Sequence, residues 1–220
     1  MSSALEVRPL VIPEAVRDRV TDGVATTVSR VAAFALILLL LPLMLLIGLA
    51  VMLTSKGPAW YRQERIGRSG APFVIYKFRT MHVGAERRLG ELLASHGLDE
   101  VTPFFKVHAD PRITRLGSFL RKSSLDELPQ LFNVLLGDMN LVGPRPQTPA
   151  EVATYDERAH ARHLVRPGMT GLWQVSGRSN LGAHESLELD LSYVRDRTVW
   201  LDLKILAKTP LAVVTKSGAF

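Results

Sequence analysis

Two carboxylates stand side by side at Asp126 and Glu127, within Ser124-Leu-Asp-Glu-Leu-Pro-Gln-Leu-Phe-Asn133, in a chain that is otherwise basic. Arg121 and Lys122 precede them, Arg145 follows in Gly143-Pro-Arg-Pro146, and Lys77 and Arg79 lie in Tyr76-Lys-Phe-Arg-Thr-Met81. Leu128, Leu131, Phe132 and Leu135 recur at helical spacing and Gly137 supplies a stop, so both acids fall at or within the first turn of a helix. Pro129 fits that place, where a missing N–H has no intrahelical partner. One reading is local: acids at a helix N-terminus stabilise it by roughly 0.3–1 kcal/mol each, and Ser124 with Glu127 matches a capping box. The other is chemical. A helix N-terminus attracts phosphate, and the two prolines restrict the backbone of Arg145, which can then offer a bidentate guanidinium with little freedom left to lose. Two acids among fixed cations suit phosphoryl chemistry.

Composition narrows the partners. The 220 residues include no cysteine, which excludes disulfides, thiolate metal sites and cysteine nucleophiles. A formal charge of +6 favours an anionic partner: nucleic acid, phospholipid headgroups or a phosphorylated substrate. Nucleic acid fits poorly, because the aromatic residues do not interleave with the basic ones as a stacking platform would. The six histidines are dispersed, and His160 and His163, one turn apart, lack a third ligand, so zinc is not expected.

The elements that must position these residues begin with an uncharged run, Val31 to Leu53, long enough as a helix to extend roughly 34 Å and cross a bilayer. It is too long and too far from the N-terminus for a cleaved signal peptide. Pro42 lies near its midpoint, and basic residues flank both ends, so a kinked span and a helix that returns to the same face are both open. Ala59–Ile66 and Phe73–Met81 read as a β-hairpin about the turn Gly67-Arg-Ser-Gly70. Helices are expected over 83–96, with Gly97 as stop; from Asp110 as N-cap with Pro111 at the first position; and from the capping box Thr148-Pro149-Ala-Glu151 to about Val165. The second of these would carry Arg112, Arg115, Arg121 and Lys122 around Ile113, Leu116 and Leu120, a face suited to an anionic membrane or a phosphate site. Residues 168–180 read as irregular strand and turn, and His184–Asp196 and Val199–Val214 as helices, the last bent at Pro210. The expected fold is α+β, mostly helical with a small β-hairpin: an arm or interfacial helix over 1–30, a membrane helix over 31–53 and a catalytic domain over 54–220.

SLDELPQLFNVLLGDMNLVGPRP, together with YKFRTM, DPRITRLGSFLRKSSLDELPQL, RPGMTGLWQVSGRSN and LDLSYVRD, resembles the bacterial sugar transferase family, the monotopic polyprenyl-phosphate phosphoglycosyl transferases. The resemblance runs from about Arg30 almost to the C-terminus and looks like the small catalytic form. It implies a re-entrant membrane helix broken at Pro42, although the family's Ser-Pro pair is Leu41-Pro42 here. It implies transfer of a hexose-1-phosphate from a UDP-sugar, glucose or galactose by analogy, to undecaprenyl phosphate with release of UMP, the first membrane step of exopolysaccharide or O-antigen synthesis. Asp126 would be the nucleophile and a ligand to Mg²⁺, and Glu127 would manage a proton or orient the second attack. Lys77, Arg79, Arg121, Arg145 and Asp190 would bind substrate or phosphate, Asp190 also being readable as a surface acid on an amphipathic helix. The place implied is the bacterial inner membrane, in contact with phospholipid, with the catalytic domain on the cytoplasmic face. A membrane-tethered module that only binds anionic ligands is the competing reading, but it gives no reason to set two acids among the cations. Oligomeric state is unreadable.

Overall fold

The first helix, α1, spans Arg19–Thr54 and contains Pro42. In the computed structural model, which describes residues 19–85, 87, 110–177 and 181–214, α1 begins twelve residues before the uncharged run. The boundary expected at residue 31 therefore falls inside one helix, while most of the N-terminal arm lies outside the described residues. Ala33, Ile37, Leu40, Met44, Ile47 and Val51 follow one another at three- and four-residue steps and form a single stripe. That stripe packs on the domain, and Leu38, Leu39, Leu45, Leu46 and Leu53 on the other faces are exposed.

Both ends of α1 are tied to the same domain. At one end the buried carboxylate of Asp22 accepts from Arg68 and Arg166, and from Arg197 at 3.1 Å. At the other, Arg79 Nη2 donates to the carbonyl of Ser55 and, at 2.9 Å, to its hydroxyl.

Strands β1 (Trp60–Ile66) and β2 (Pro72–Phe78) form the expected antiparallel hairpin, with Trp60 opposite Phe78 and Ile66 opposite Pro72. A 3₁₀ turn over Arg68–Gly70 joins them, with Ser69 and Gly70 at positive φ. The helix expected over 83–96 lies almost wholly outside the described residues; Val83–Ala85 are turn.

Helix α2 spans Arg115–Lys122 and starts later than expected. Its N-cap is Thr114, whose hydroxyl accepts from Gly117 N at 2.8 Å. Asp110 cannot cap it, because that carboxylate holds the backbone N–H and the guanidinium of Arg112, and Ile113 pairs with Met81 as a short bridge. Gly117 lets the helix approach Thr80, where a Cβ would come within 2.0 Å of the Thr80 carbonyl oxygen.

After α2 the chain turns at Ser124, in the left-handed region at φ 56°, then makes a 3₁₀ turn over Leu125–Glu127 that leads through Pro129 into α3, Gln130–Leu136. The capping box expected from Ser124 and Glu127 does not form. The left-handed turn leaves the Ser124 hydroxyl without a cap bond, and the Glu127 carboxylate is taken by Lys77. Gly137, at φ 94°, ends α3 as expected. Fully buried Asn133 joins α3 to the hairpin: its Oδ1 accepts from Tyr76 N at 3.0 Å and its Nδ2 donates to Val74 O at 2.6 Å.

A parallel pair, β3 (Asn140–Val142) with β4 (Gly168–Thr170), was not expected. Between them the capping box at Thr148 forms, but its helix α4 (Pro149–Val152) lasts one turn in place of the helix expected to Val165. Asp156 Oδ1 accepts from Ala159 N at 2.8 Å and opens a separate 3₁₀ stretch, Ala159–Leu164. A short α5 (Leu172–Ser176) follows, where only strand and turn were expected, and α6 (Ala183–Asp196) and α7 (Val199–Val214) close the chain as expected.

Candidate active site

The hairpin, α2, the 3₁₀ turn before α3 and the Gly143–Pro146 loop surround a cleft of about 1200 Å³. Six of the seven substrate or catalytic residues expected from the sequence line it: Lys77, Arg79, Arg121, Asp126, Glu127 and Arg145. Strand β2 carries Lys77 to Glu127, with Nζ 2.6 Å from Oε1. Asp126 is 9% exposed. Burial, and after it the neighbouring Glu127 charge, pushes its carboxyl up to about 6 against the opposing pull of Lys77 and Arg121. Its poorly hydrated carboxylate therefore stands where cations attract a phosphate.

Arg121 reaches the cleft from the last turn of α2 and is steadied by Thr80, whose hydroxyl accepts from Nε at 2.8 Å. Burial lowers its pKa, with Asp126 and Asp110 opposing that shift. Arg145 stands exposed on its loop with its guanidinium over the Trp173 ring, 6.0 Å from the centroid. Such a contact is worth roughly 0.5–1 kcal/mol at an exposed site. Arg79 also borders the cleft, but the bonds it makes cap the end of α1 at Ser55.

Asp190 does not line the cleft. It is fully buried on α6 and bound by Arg162, and burial pushes its carboxyl up to about 6 although Arg162 opposes the shift. The alternative of a surface acid is equally excluded.

In the sequence Arg65 is only one of the basic residues that follow the apolar run. It lies in the cleft wall, and burial together with the charge of Arg145 pushes it down to about 10. Its Nη1 donates to the Pro146 carbonyl at 3.1 Å and meets Glu151 at 3.4 Å. Its position at the end of β1 marks a strand residue and nothing more; the pairing of β1 with Gln147 makes it a site residue.

Among the described residues, no group of three or more His, Cys, Asp or Glu side chains converges to hold a metal. The donors present, Asp126 with Glu127 beside it, match the habit of Mg²⁺, which takes one or two carboxylates and completes its shell with water and substrate phosphate. They do not match a zinc cage.

The site is thus a buried carboxylate in a cationic cleft, in a domain that packs on a long apolar helix. The bacterial sugar transferase family model matches residues 21–216, and the chain belongs to that family. It is 42% identical over 217 residues to the undecaprenyl-phosphate galactose phosphotransferase of Salmonella typhimurium, covering 98% of this chain and 45% of that protein. It is 44% identical over 200 residues to the UDP-glucose:undecaprenyl-phosphate glucose-1-phosphate transferase of Caulobacter vibrioides, covering 86% of this chain and 69% of that one. The exopolysaccharide production protein ExoY of Sinorhizobium fredii is 41% identical over 192 residues, 86% of this chain and 84% of ExoY. The chain spans less than half the length of several relatives, the Salmonella protein included.

Proposed function

We propose that the chain moves a hexose-1-phosphate from a UDP-sugar, UDP-glucose or UDP-galactose, to undecaprenyl phosphate in the synthesis of an exopolysaccharide or O-antigen. The observation that carries this reading is the buried, desolvated carboxyl of Asp126 in a cleft walled by Lys77, Arg121 and Arg145. The names of the Salmonella and Caulobacter relatives support the substrate pair.

In the proposed reaction an oxygen of Asp126 attacks the sugar-bearing β-phosphorus. The bond from that phosphorus to the bridging oxygen breaks, UMP leaves with the electron pair, and Asp126 holds the sugar phosphate as a mixed anhydride. A phosphate oxygen of undecaprenyl phosphate then attacks the same phosphorus, releasing the carboxylate and forming the lipid diphosphate sugar. Attack by a carboxylate on a diphosphate is opposed by like charge. Arg121 and Arg145 answer that repulsion at the phosphate oxygens, and Glu127 holds Lys77 beside Asp126 for the same end. Mg²⁺, held by Asp126 with the diphosphate oxygens, would neutralise further charge there.

The membrane geometry is part of the proposal. Asp22 and Ser55, beyond the two ends of the apolar stretch, are bonded to one domain, which supports a re-entrant or shallow helix over a span. The stripe from Ala33 to Val51, roughly 27 Å of helix, packs on the hairpin, α2 and α3. A crossing at that depth would carry the cleft's cations into hydrocarbon, at a cost of a few kcal/mol each or more. The domain then lies on the cytoplasmic face of the bacterial inner membrane, at the phospholipid headgroups.

Intact-protein mass spectrometry after incubation with Mg²⁺ and each UDP-hexose tests the reading. The expected result is a hexose-phosphate adduct on Asp126, discharged by undecaprenyl phosphate and lost in Asp126→Asn. Turnover by Asp126→Asn at the parental rate would overturn the nucleophile assignment.

A further inference from the structure

The loop that carries Arg145 is held by its backbone from below. Four successive carbonyls accept from three elements: Pro144 O from Gly168 N of β4 at 2.9 Å, Arg145 O from Arg162 Nη2 of the 3₁₀ stretch at 3.3 Å, and, both from β1, Pro146 O from Arg65 Nη1 at 3.1 Å and Gln147 O from Ile66 N at 2.9 Å. Two of the four donors are guanidiniums, each fixed in turn by a carboxylate, Arg162 by Asp190 and Arg65 by Glu151. With its amide turned to satisfy both neighbours, Gln147 joins the halves, donating to Glu151 at 2.8 Å and accepting from Arg162 at 3.1 Å. Arg162 also donates to the hydroxyl of Tyr155, and its guanidinium lies 5.7 Å from that ring's centroid.

Only part of this arrangement is explained by holding the chain together. Burying an ion pair is an ineffective route to stability, because its desolvation offsets most of the attraction. The pair does something more specific here. Pro146 already confines Arg145 to extended backbone, and a fixed Arg145 carbonyl removes the remaining rotation of the peptide plane that follows it. The direction in which the Arg145 side chain leaves the loop is then set by Arg162.

We propose that Asp190 and Arg162, with Tyr155, are positioning residues that aim the Arg145 guanidinium at the phosphate in the cleft. This rests on the transfer reading above. None of the three lines the cleft, and the loop carbonyl that Arg162 holds is that of Arg145 itself, so the proposal routes their effect on the substrate through Arg145 and not through Arg65, which Glu151 and the Pro146 carbonyl hold. Their effect on the reaction must therefore vanish when Arg145 is absent.

A kinetic double-mutant cycle tests this. Asp190→Asn and Tyr155→Phe are each made in the parent and in Arg145→Ala, with UMP release followed under saturating undecaprenyl phosphate and melting curves recorded for every variant. A displacement on the ångström scale at a phosphate contact lowers kcat/KM by about 100-fold, the loss expected for Asp190→Asn. Tyr155→Phe should lose on the order of tenfold, and it carries the cycle should Asp190→Asn fail to fold. In Arg145→Ala both substitutions should change kcat/KM by no more than about twofold. Equal fold-losses with and without Arg145 would overturn the proposal, as would near-parental kcat/KM in both single variants. Calorimetric titration of the same proteins with UDP separates this test from the transfer reading. A parent that binds UDP but releases no UMP overturns transfer alone, and the same cycle in Kd then decides whether the clamp exists, coupling through Arg145 supporting it and independence refuting it.

Discussion

Replacing Asp126 by asparagine should abolish transfer and, at neutral pH, make the protein more stable. The carboxyl is held up from 3.8 to about 6, first by burial and then by Glu127. At about 1.36 kcal/mol for each pH unit, a rise from 3.8 to about 6 corresponds to about 3 kcal/mol. The sign follows from where each state ionises. The folded chain binds this proton more tightly than the unfolded chain does, so the favourable contribution is fully present below 3.8. It falls as pH rises, because the unfolded chain ionises first, and it is gone above about 6. The amide of Asp126→Asn has no proton to lose, so the variant's advantage should grow between pH 4 and pH 6 and then level off. For a domain of this size about 3 kcal/mol is roughly 6–12 °C in melting temperature. Melts of the two proteins in one detergent at a series of pH values give the difference directly. Because the Glu127 charge adds to the upward push on Asp126, Glu127→Gln should narrow the gap. A gap that stays flat from pH 4 to pH 8, or a parent that melts higher than the variant at pH 7.5, would refute the idea that a desolvated charge is stored at this carboxyl.

Two further outcomes follow from the packing. Asn133→Leu should destabilise the protein by about 2–5 kcal/mol, since the N–H of Tyr76 and the carbonyl of Val74 would both lose their partner; a urea midpoint within error of the parent would contradict this. The chain has no cysteine, so single cysteines at Thr27 and Lys56, both exposed, are unique labels for topology. They should react with an impermeant maleimide only when the cytoplasmic face is open, and reaction from opposite faces would rule out the re-entrant helix.

Readings that depended on local chemistry agree with the structure. The hairpin, the Thr148 capping box, the Gly137 stop and both C-terminal helices each follow from a few neighbouring residues whose preference has no stronger competitor. Where a local preference had such a competitor, it failed. Asp110 is a good N-cap in isolation, yet Arg112 two residues away occupies its carboxylate and Thr114 caps in its place. Ser124 and Glu127 have the spacing of a capping box, but a lysine fifty residues upstream takes the glutamate. The parallel pairing of β3 with β4 joins two three-residue strands across a long connection, and neither strand is long enough to show a period.

The candidate site divides along the same line. Asp126, Glu127, Arg121 and Arg145 stood out because acids and cations lie close in sequence, and the structure places them around one cleft. Arg65 and Arg162 carried no such signal, because what matters in each is the carbonyl it meets, eighty-one residues away for one and seventeen for the other. Asp190 stood out as an acid, but its partner could not be read, and so its task was placed at the substrate when the structure places it beneath the loop. Asp22 shows the same effect at the membrane. In the sequence it is one of several charges ahead of an apolar run, and in the fold it collects three guanidiniums from distant segments and fixes the start of the helix. A charge near its partner in sequence declares its chemistry, whereas a charge whose partner is remote declares only its sign. In this chain Arg121 and Asp126, five residues apart, face the cleft, whereas the remote pairs of Arg162 with Asp190 and of Arg65 with Glu151 hold the loop beside it in position.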